Sequence, residues 1–310
     1  MTKKITIRKG QLGLLSRQGD YYQVLEAGEH RLPWFNVPEV LIVNRDGSEV
    51  PEALAEYLRR FQPEWIERYC LAADLTDVEA GALYANGVLQ EILPPSTRRL
   101  YWSAGDEIQL LRIDTRQVAV PADIMNAVLQ PRRHGAVKGR EAILTVSVPA
   151  WHVGVLKIDG ETQSLLQPGL SAYWKVNHLV EAEVVDTRLQ VLEVGGQEIL
   201  TKDKVNLRLN LAANWRYSDV LQAFGQLTKP LDHLYRELQF ALREAVGTRT
   251  LDELLEDKKI IDEVVSTQVT ERMAAFGIDV ASLGVKDIVL PGDMKAILSQ
   301  LVEAEKSARS

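Results

Sequence analysis

At Tyr217 the spacing of apolar residues changes from two to roughly three and a half, the strand period giving way to the helix period. A chain patterned in this way lays down a sheet first and packs helices on it afterwards. Between Gln197 and Leu211, apolar Ile199, Val205, Leu207, Leu209 and Leu211 alternate with polar residues, as a strand with one face on a core requires. Beyond Tyr217, Ser218 is placed to cap a helix from Asp219, and Leu234, Leu238, Leu242 and Val246 step along one face of another over 231–246 before Gly247. Thr250-Leu251-Asp252-Glu253 is a capping box, opening a helix that carries Leu254, Leu255, Ile261, Val264, Val265, Val269 and Met273. A final strand over 278–289 precedes Pro291, which suits the first turn of a terminal helix. The fold class this predicts is α+β.

The first part of the chain repeats a pattern. Gly13-Leu14-Leu15 with Gly19, Val24-Leu25-Glu26-Ala27-Gly28 and Trp34 is matched by Gly81-Ala82-Leu83 with Gly87, Ile92-Leu93-Pro94-Pro95 and Tyr101-Trp102. A further copy has Gly154-Val155-Leu156, Gly160, Leu165-Leu166-Gln167-Pro168-Gly169 and Tyr173-Trp174. Each reads strand, glycine turn, strand, Pro/Gly turn, aromatic strand. A period of about 70 residues exceeds a solenoid unit, so a small β-hairpin module used three times is expected. Two helical inserts separate the copies. One has Leu54, Tyr57, Leu58 and Phe61 on one face and a second short helix from Pro63 through Cys70; the other spans 122–129. The stretch 131–142, with Pro131, Gly135, Gly139 and a run of cations, reads as a linker.

Several runs resemble the SPFH or band-7 domain of the stomatin-like proteins, the slipins. They are Val185-Asp186-Thr187-Arg188, Gln197-Glu198-Ile199-Leu200-Thr201-Lys202-Asp203, Ala213-Asn214-Trp215-Arg216-Tyr217 and Leu242-Arg243-Glu244-Ala245-Val246-Gly247-Thr248-Arg249-Thr250-Leu251. Phe276-Gly277-Ile278-Asp279-Val280, Val285-Lys286-Asp287-Ile288-Val289-Leu290-Pro291 and Glu303-Ala304-Glu305-Lys306 continue the likeness in the family's order. The resemblance covers the C-terminal half of the chain. It implies an SPFH domain over 143–290 with a strand-rich first half and a helical second half, whose opening strands are the last hairpin copy. Residues 1–130 would then be an N-terminal region of two β-hairpin modules with short helical inserts, and residues 291–310 the start of a C-terminal helix. In the family that helix continues as a coiled coil that assembles subunits.

Chemistry is harder to find. There is no phosphate-binding glycine loop, no Gly-x-Ser-x-Gly elbow and no His-Glu-x-x-His pair. The five histidines, His30, His134, His152, His178 and His233, are scattered, so no metal ligand set, catalytic residue or cofactor site is expected. The lone Cys70 excludes an internal disulfide and fits a reducing compartment; beside Arg68 it reads either as an activated thiol or as a small buried residue. His152 reads either as a pH-dependent contact or as a hydrogen-bonded strand residue. A net charge of −7 argues against a nucleic-acid partner. The N-terminus lacks the apolar core of a signal peptide, and the most apolar stretch, 143–158, is interrupted by Thr145, Ser147, His152 and Lys157, so no transmembrane helix is expected.

Two sets of residues are candidates for membrane or partner contact. Arg132, Arg133, Lys138 and Arg140 would meet anionic lipid at about 1 kcal/mol per cation, or simply be solvated. Trp34, Trp102 and Trp174 recur with the hairpin, and would sit at an interface or share a packing role. The resemblance implies a non-enzymatic scaffold, cytoplasmic and peripheral to a membrane. Such a protein oligomerises with itself, organises lipids, and regulates membrane proteases or channels. The alternatives are a soluble adaptor docked on an integral membrane protein, or a hydrolase or transferase whose site the motifs do not show.

Overall fold

A computed structural model describes residues 2–130, 135–257 and 259–309, with the backbone alone for 293–299 and 301. The protein divides into two compact units, residues 1–146 with 170–180, and residues 147–169 with 181–310.

One five-strand arrangement occurs three times. In the first, β1 (Thr2–Ile7) pairs with β4 (Gly28–Pro33), while β2 (Gln11–Arg17) lies between β3 (Asp20–Leu25) and β5 (Glu39–Asn44). After helices α1 (Glu52–Phe61) and α2 (Pro63–Tyr69), β6 (Cys70–Asp74) pairs with β9 (Arg98–Trp102). There β7 (Glu79–Ala85) lies between β8 (Val88–Leu93) and β10 (Ile108–Asp114). After α3 (Ala122–Leu129), β11 (Ile143–Val148) pairs with β14 (Gly169–Trp174). Strand β12 (His152–Ile158) then lies between β13 (Glu161–Leu166) and β15 (Val180–Asp186).

The register of the central hairpin is common to all three. Gly13 faces Leu25, Gly81 faces Leu93 and Gly154 faces Leu166, each followed by a bulge three residues along the strand. A side chain at these glycines would crowd its neighbours: a Cβ on Gly13 would stand 2.9 Å from Ile7 Cδ1, and one on Gly81 3.0 Å from Leu110 Cδ1. Glycine in a strand marks such close approaches.

Within the first unit, short extended segments stitch one arrangement to the next. Val50 N donates to Leu100 O at 2.8 Å and Trp102 N to Ser48 O at 2.9 Å; Val120 N donates to Ala172 O and Trp174 N to Val118 O, both at 2.8 Å. Each segment ends in a proline that begins a helix. Pro51 precedes α1, whose Ala55 and Leu58 are buried with Val50, Leu100 and Trp102, and Pro121 precedes α3, whose Ile124 and Met125 are buried with Val120, Ala172 and Trp174.

The second unit holds the sheet β16 (Gln190–Leu200), β17 (Asn206–Tyr217) and β18 (Ile278–Val289), antiparallel with β17 in the middle. Four helices follow β17: α4 (Val220–Gln226), α5 (Pro230–Gly247), α6 (Leu251–Glu256) and α7 (Ile260–Ala274), and α8 (Gly292–Ala308) follows β18. The alternation along β17 buries Leu207, Leu209, Leu211, Ala213 and Trp215 against Leu234, Leu238, Leu242 and Val246 of α5 and Ile261, Val265, Val269 and Met273 of α7. Each leucine buried here contributes about 2 kcal/mol.

Several boundaries differ from the sequence reading. Asp219, not Ser218, caps α4, its carboxylate accepting from Gln222 N at 3.1 Å. The helix expected from Thr250 to Met273 is two helices, broken where Asp257 accepts from Lys259 N at 3.1 Å. Gly247 stays inside α5, and Thr248 closes it. Helix α2 ends at Tyr69, and Cys70 opens a strand. Pro291 precedes the terminal helix as its cap instead of entering its first turn. A strand-then-helix division holds only to Ala274, because β18 returns to the sheet after the helices. Part of the stretch read as a linker is packed: Val137 is buried, Ile92 N donates to Lys138 O at 2.8 Å, and a Cβ on Gly139 would meet Ile92 O at 2.0 Å. Gly139 has φ +76°, a left-handed conformation only glycine adopts freely.

Candidate functional site

The residues that carry the sequence resemblance act as latches on the backbone. At the end of β15 the Thr187 amide and Oγ1 both donate to Trp151 O, at 2.9 and 2.6 Å. The same bonds recur one arrangement earlier, where the Thr115 amide and Oγ1 donate to Val78 O at 2.8 and 2.7 Å. Each threonine lies between an aspartate and an arginine that pair with each other: Arg116 with Asp114 and Arg188 with Asp186, both at 2.8 Å. The Arg188 side chain, then its amide, holds the Asp186 carboxyl well below the usual carboxylate range. His152 Nε2 lies 3.7 Å from the same carboxylate, and its Nδ1 meets Ala150 O at 2.8 Å.

A second latch holds the turn after β16. Buried Thr201 accepts from Val205 N at 3.0 Å, Asp203 accepts from Leu251 N at 3.1 Å, and Lys202 N donates to Arg249 O at 2.8 Å. The turn is thereby fastened to the start of α6, where Thr250 accepts from Glu253 N. Gly277, at φ +74°, lets Ser218 N and Asp219 N reach its carbonyl; a Cβ there would lie 2.3 Å from Asp219 O. These groups are spent on backbone hydrogen bonds and on the Asp–Arg pairs, an arrangement that fixes local geometry.

The sequence candidates for surface contact separate sharply. Trp34 is 61% exposed, and Phe35 beside it 78%. Trp102 and Trp174 are 3% and 0% exposed and face protein on all sides, which removes both as contact residues and gives them the packing role. Lys138 and Arg140 are exposed, the Lys138 backbone being held by a β-bridge beside Glu91 in which Lys138 N donates to Gln90 O at 3.2 Å. Arg132 and Arg133 lie outside the described residues.

Sequence reasoning missed Trp151. Its indole is 69% exposed and its backbone left-handed at φ +66°, a conformation that costs a residue with a Cβ about 1–2 kcal/mol. The corresponding turn of the first arrangement carries Gly10, at φ +81°. A tryptophan standing where a repeat has glycine is the signal that would have found it.

An apolar recess of about 350 Å³ in the second unit is lined by Leu207, Leu251, Leu254, Leu255, Ile288 and Leu290, with Val285 and Lys286. Among the described lining residues Lys286 alone is ionisable, and its ammonium pairs with Glu193 at 2.6 Å. The described lining of the recess offers mainly apolar surface. The Cys70 thiol is pushed up to about 12 by burial, against the opposing pull of Arg45 and Arg59, which leaves it protonated and unreactive at neutral pH.

Residues 146–310 match the family described as SPFH domain / Band 7. A stomatin homolog of Pyrococcus horikoshii is 32% identical over 143 residues, 46% of this chain and 53% of that protein. An uncharacterized protein of Archaeoglobus fulgidus is 30% identical over 166 residues, 53% of this chain and 65% of that protein, and stomatin-2 of Caenorhabditis elegans is 29% identical over 126 residues. The chain spans about half the length of the curated relatives it matches.

Proposed function

The chain belongs to the SPFH domain / band 7 family, and on that premise we propose that it is a non-enzymatic scaffold which assembles with itself at a membrane surface. There it organises anionic lipid or regulates integral membrane proteins such as proteases and channels. The observation that supports this most directly is the use of the family's own motif residues, Asp186, Thr187, Arg188, Thr201 and Asp203, as structural latches. In this reading attachment is peripheral, at the cytoplasmic face of the membrane; among the described residues no helix is long and apolar enough to cross a bilayer. Trp34, Lys138 and Arg140 are its contact residues, joined by Arg132 and Arg133. The three five-strand arrangements are three copies of one module, two of them preceding the domain.

Light scattering together with flotation on phosphatidylserine vesicles tests the scaffold. A large particle that floats supports it, and a monomer that stays in solution sinks it. The second reading, an adaptor docked on an integral membrane protein, is favoured by the paired exposure of Trp34 and Phe35. It predicts binding to vesicles only when they carry that protein.

A further inference from the structure

In each five-strand arrangement the central strand has its hairpin partner on one side and an outer strand on the other, and that outer strand is an edge. The outer strands are β5, β10 and β15, and among the described residues each is hydrogen-bonded to its central strand alone. The first two share one register, since Ile42 lies opposite Gly13 as Arg112 lies opposite Gly81. Asp114 and Asp186, which precede the two latch threonines, align β10 with β15. Leu41-Ile42 of β5 therefore corresponds to Leu111-Arg112 of β10 and to Glu183-Val184 of β15. All six residues are exposed.

An open edge invites another strand, and charged side chains are a usual guard against it. β10 carries Arg112 and Asp114, and β15 carries Glu181, Glu183 and Asp186. β5 lacks that guard. Its sequence is Glu39-Val40-Leu41-Ile42-Val43-Asn44, with Ile42 where β10 has arginine, Leu41 where β15 has glutamate, and Asn44 where both have aspartate. Leu41 is 40% and Ile42 43% exposed, and alternation along the strand sends them to opposite faces of the sheet. Apolar surface thus reaches this edge on both faces. The one charge within β5, Glu39, stands at its start, and Arg45 follows its end.

We propose that β5 pairs antiparallel with β5 of a second copy about a two-fold axis normal to the sheet, joining two three-stranded sheets into one of six strands. This deepens the scaffold reading, on which it rests, by placing a self-contact in the N-terminal region, outside the residues that match the family. The strand's own chemistry selects the occupant. With the axis through Leu41 or through Ile42, both of these residues meet an aliphatic residue of the other copy. Antiparallel pairing also brings Glu39 of each copy to the Asn44-Arg45 end of the other, where parallel pairing in register would set one Glu39 against its twin. Exposed Trp34, Phe35 and Val37 lead into β5, so each copy carries apolar side chains to the rim of the joined sheet.

Light scattering at micromolar concentration compares the full chain with Ile42→Arg and Leu41→Glu, each introducing the charge that an equivalent edge already carries. The full chain is expected to run as a dimer or larger, and both variants at half that mass or less with an unchanged thermal transition. Should either variant unfold, the other and a cross-linking pair carry the test. That pair is Leu41→Cys and Ile42→Cys, made separately. A two-fold axis through one of these positions brings its two sulfurs within disulfide range, because opposite Cα atoms of an antiparallel pair lie about 4.5–5.5 Å apart. Mild oxidation is expected to link one of them into a covalent dimer, and to leave Phe240→Cys, on the exposed side of α5, unlinked. Variants with the full chain's mass, or cysteines that link no better than Phe240→Cys, would overturn the pairing and leave the scaffold standing. A full chain that pairs through β5 yet does not float on phosphatidylserine vesicles sinks the membrane scaffold and leaves the pairing. A monomeric full chain overturns both. If Ile42→Arg loses flotation and keeps its mass, lipid occupies the edge and the pairing is overturned.

Discussion

The two units solve the same problem differently. The sheet of the second unit is covered by helices that follow within its own sequence, and Leu207, Leu209, Leu211, Leu238, Val265 and Val269 fall into one continuous core. The first unit divides its apolar residues among several smaller clusters, and two of these are completed only by the segment that arrives from the preceding arrangement. A five-strand module of this kind depends on its neighbour for cover, as the repeats of quasi-linear proteins do. A sheet that carries its own helices does not.

That contrast is sharpest at the tryptophans. Trp174→Ala should destabilise the first unit by about 3–5 kcal/mol, Trp102→Ala by a similar amount, and Trp34→Ala by less than about 0.5 kcal/mol. Urea unfolding followed by circular dichroism measures all three, and a Trp34 effect as large as that of Trp174 would break the comparison. In the second unit Gly277→Ala should cost about 2 kcal/mol, because it combines left-handed strain with a clash against Asp219 O. A thermal transition unchanged from wild type would show that the α4 junction adds little to that core. Thr250→Ala removes the cap of α6 and should cost about 1 kcal/mol, read from the same melts.

The smallest effect is electrostatic. Asp186 has its pKa lowered in the folded state, so what it adds to stability is complete above its unfolded value of about 3.9 and disappears as the pH falls through the lower folded value. Arg188→Ala should therefore flatten the acid limb of the stability profile and leave its slope above pH 6 unchanged, as measured by urea midpoints from pH 2 to pH 7.

Much of the second unit was legible in the sequence because its faces are periodic. Leu234, Leu238, Leu242 and Val246 are four apart, and β17 alternates without interruption, so the pattern and the burial coincide. The break between α6 and α7 escaped notice because Leu254, Leu255, Ile260 and Ile261 keep helical spacing across it, and a cap by Asp257 looks in sequence like any surface carboxylate. The contact residues were less legible. Trp34, Trp102 and Trp174 carry one sequence signal, and what separates them is a segment lying over the strand, which local pattern does not encode. Trp151 was hidden for the opposite reason, since its exposure follows from a left-handed turn that only the Gly10 position of the first module reveals.

The half-buried Cys70 thiol also has a practical consequence. Burial pushes the Cys70 thiol up to about 12, so it stays protonated at pH 7. A cysteine placed on an exposed site, with an ordinary pKa of about 8.5, reacts with a maleimide far sooner. The native chain can thus take a single fluorophore or cross-linker at position 34 without first losing its own sulfur, and the unmodified protein serves as the blank.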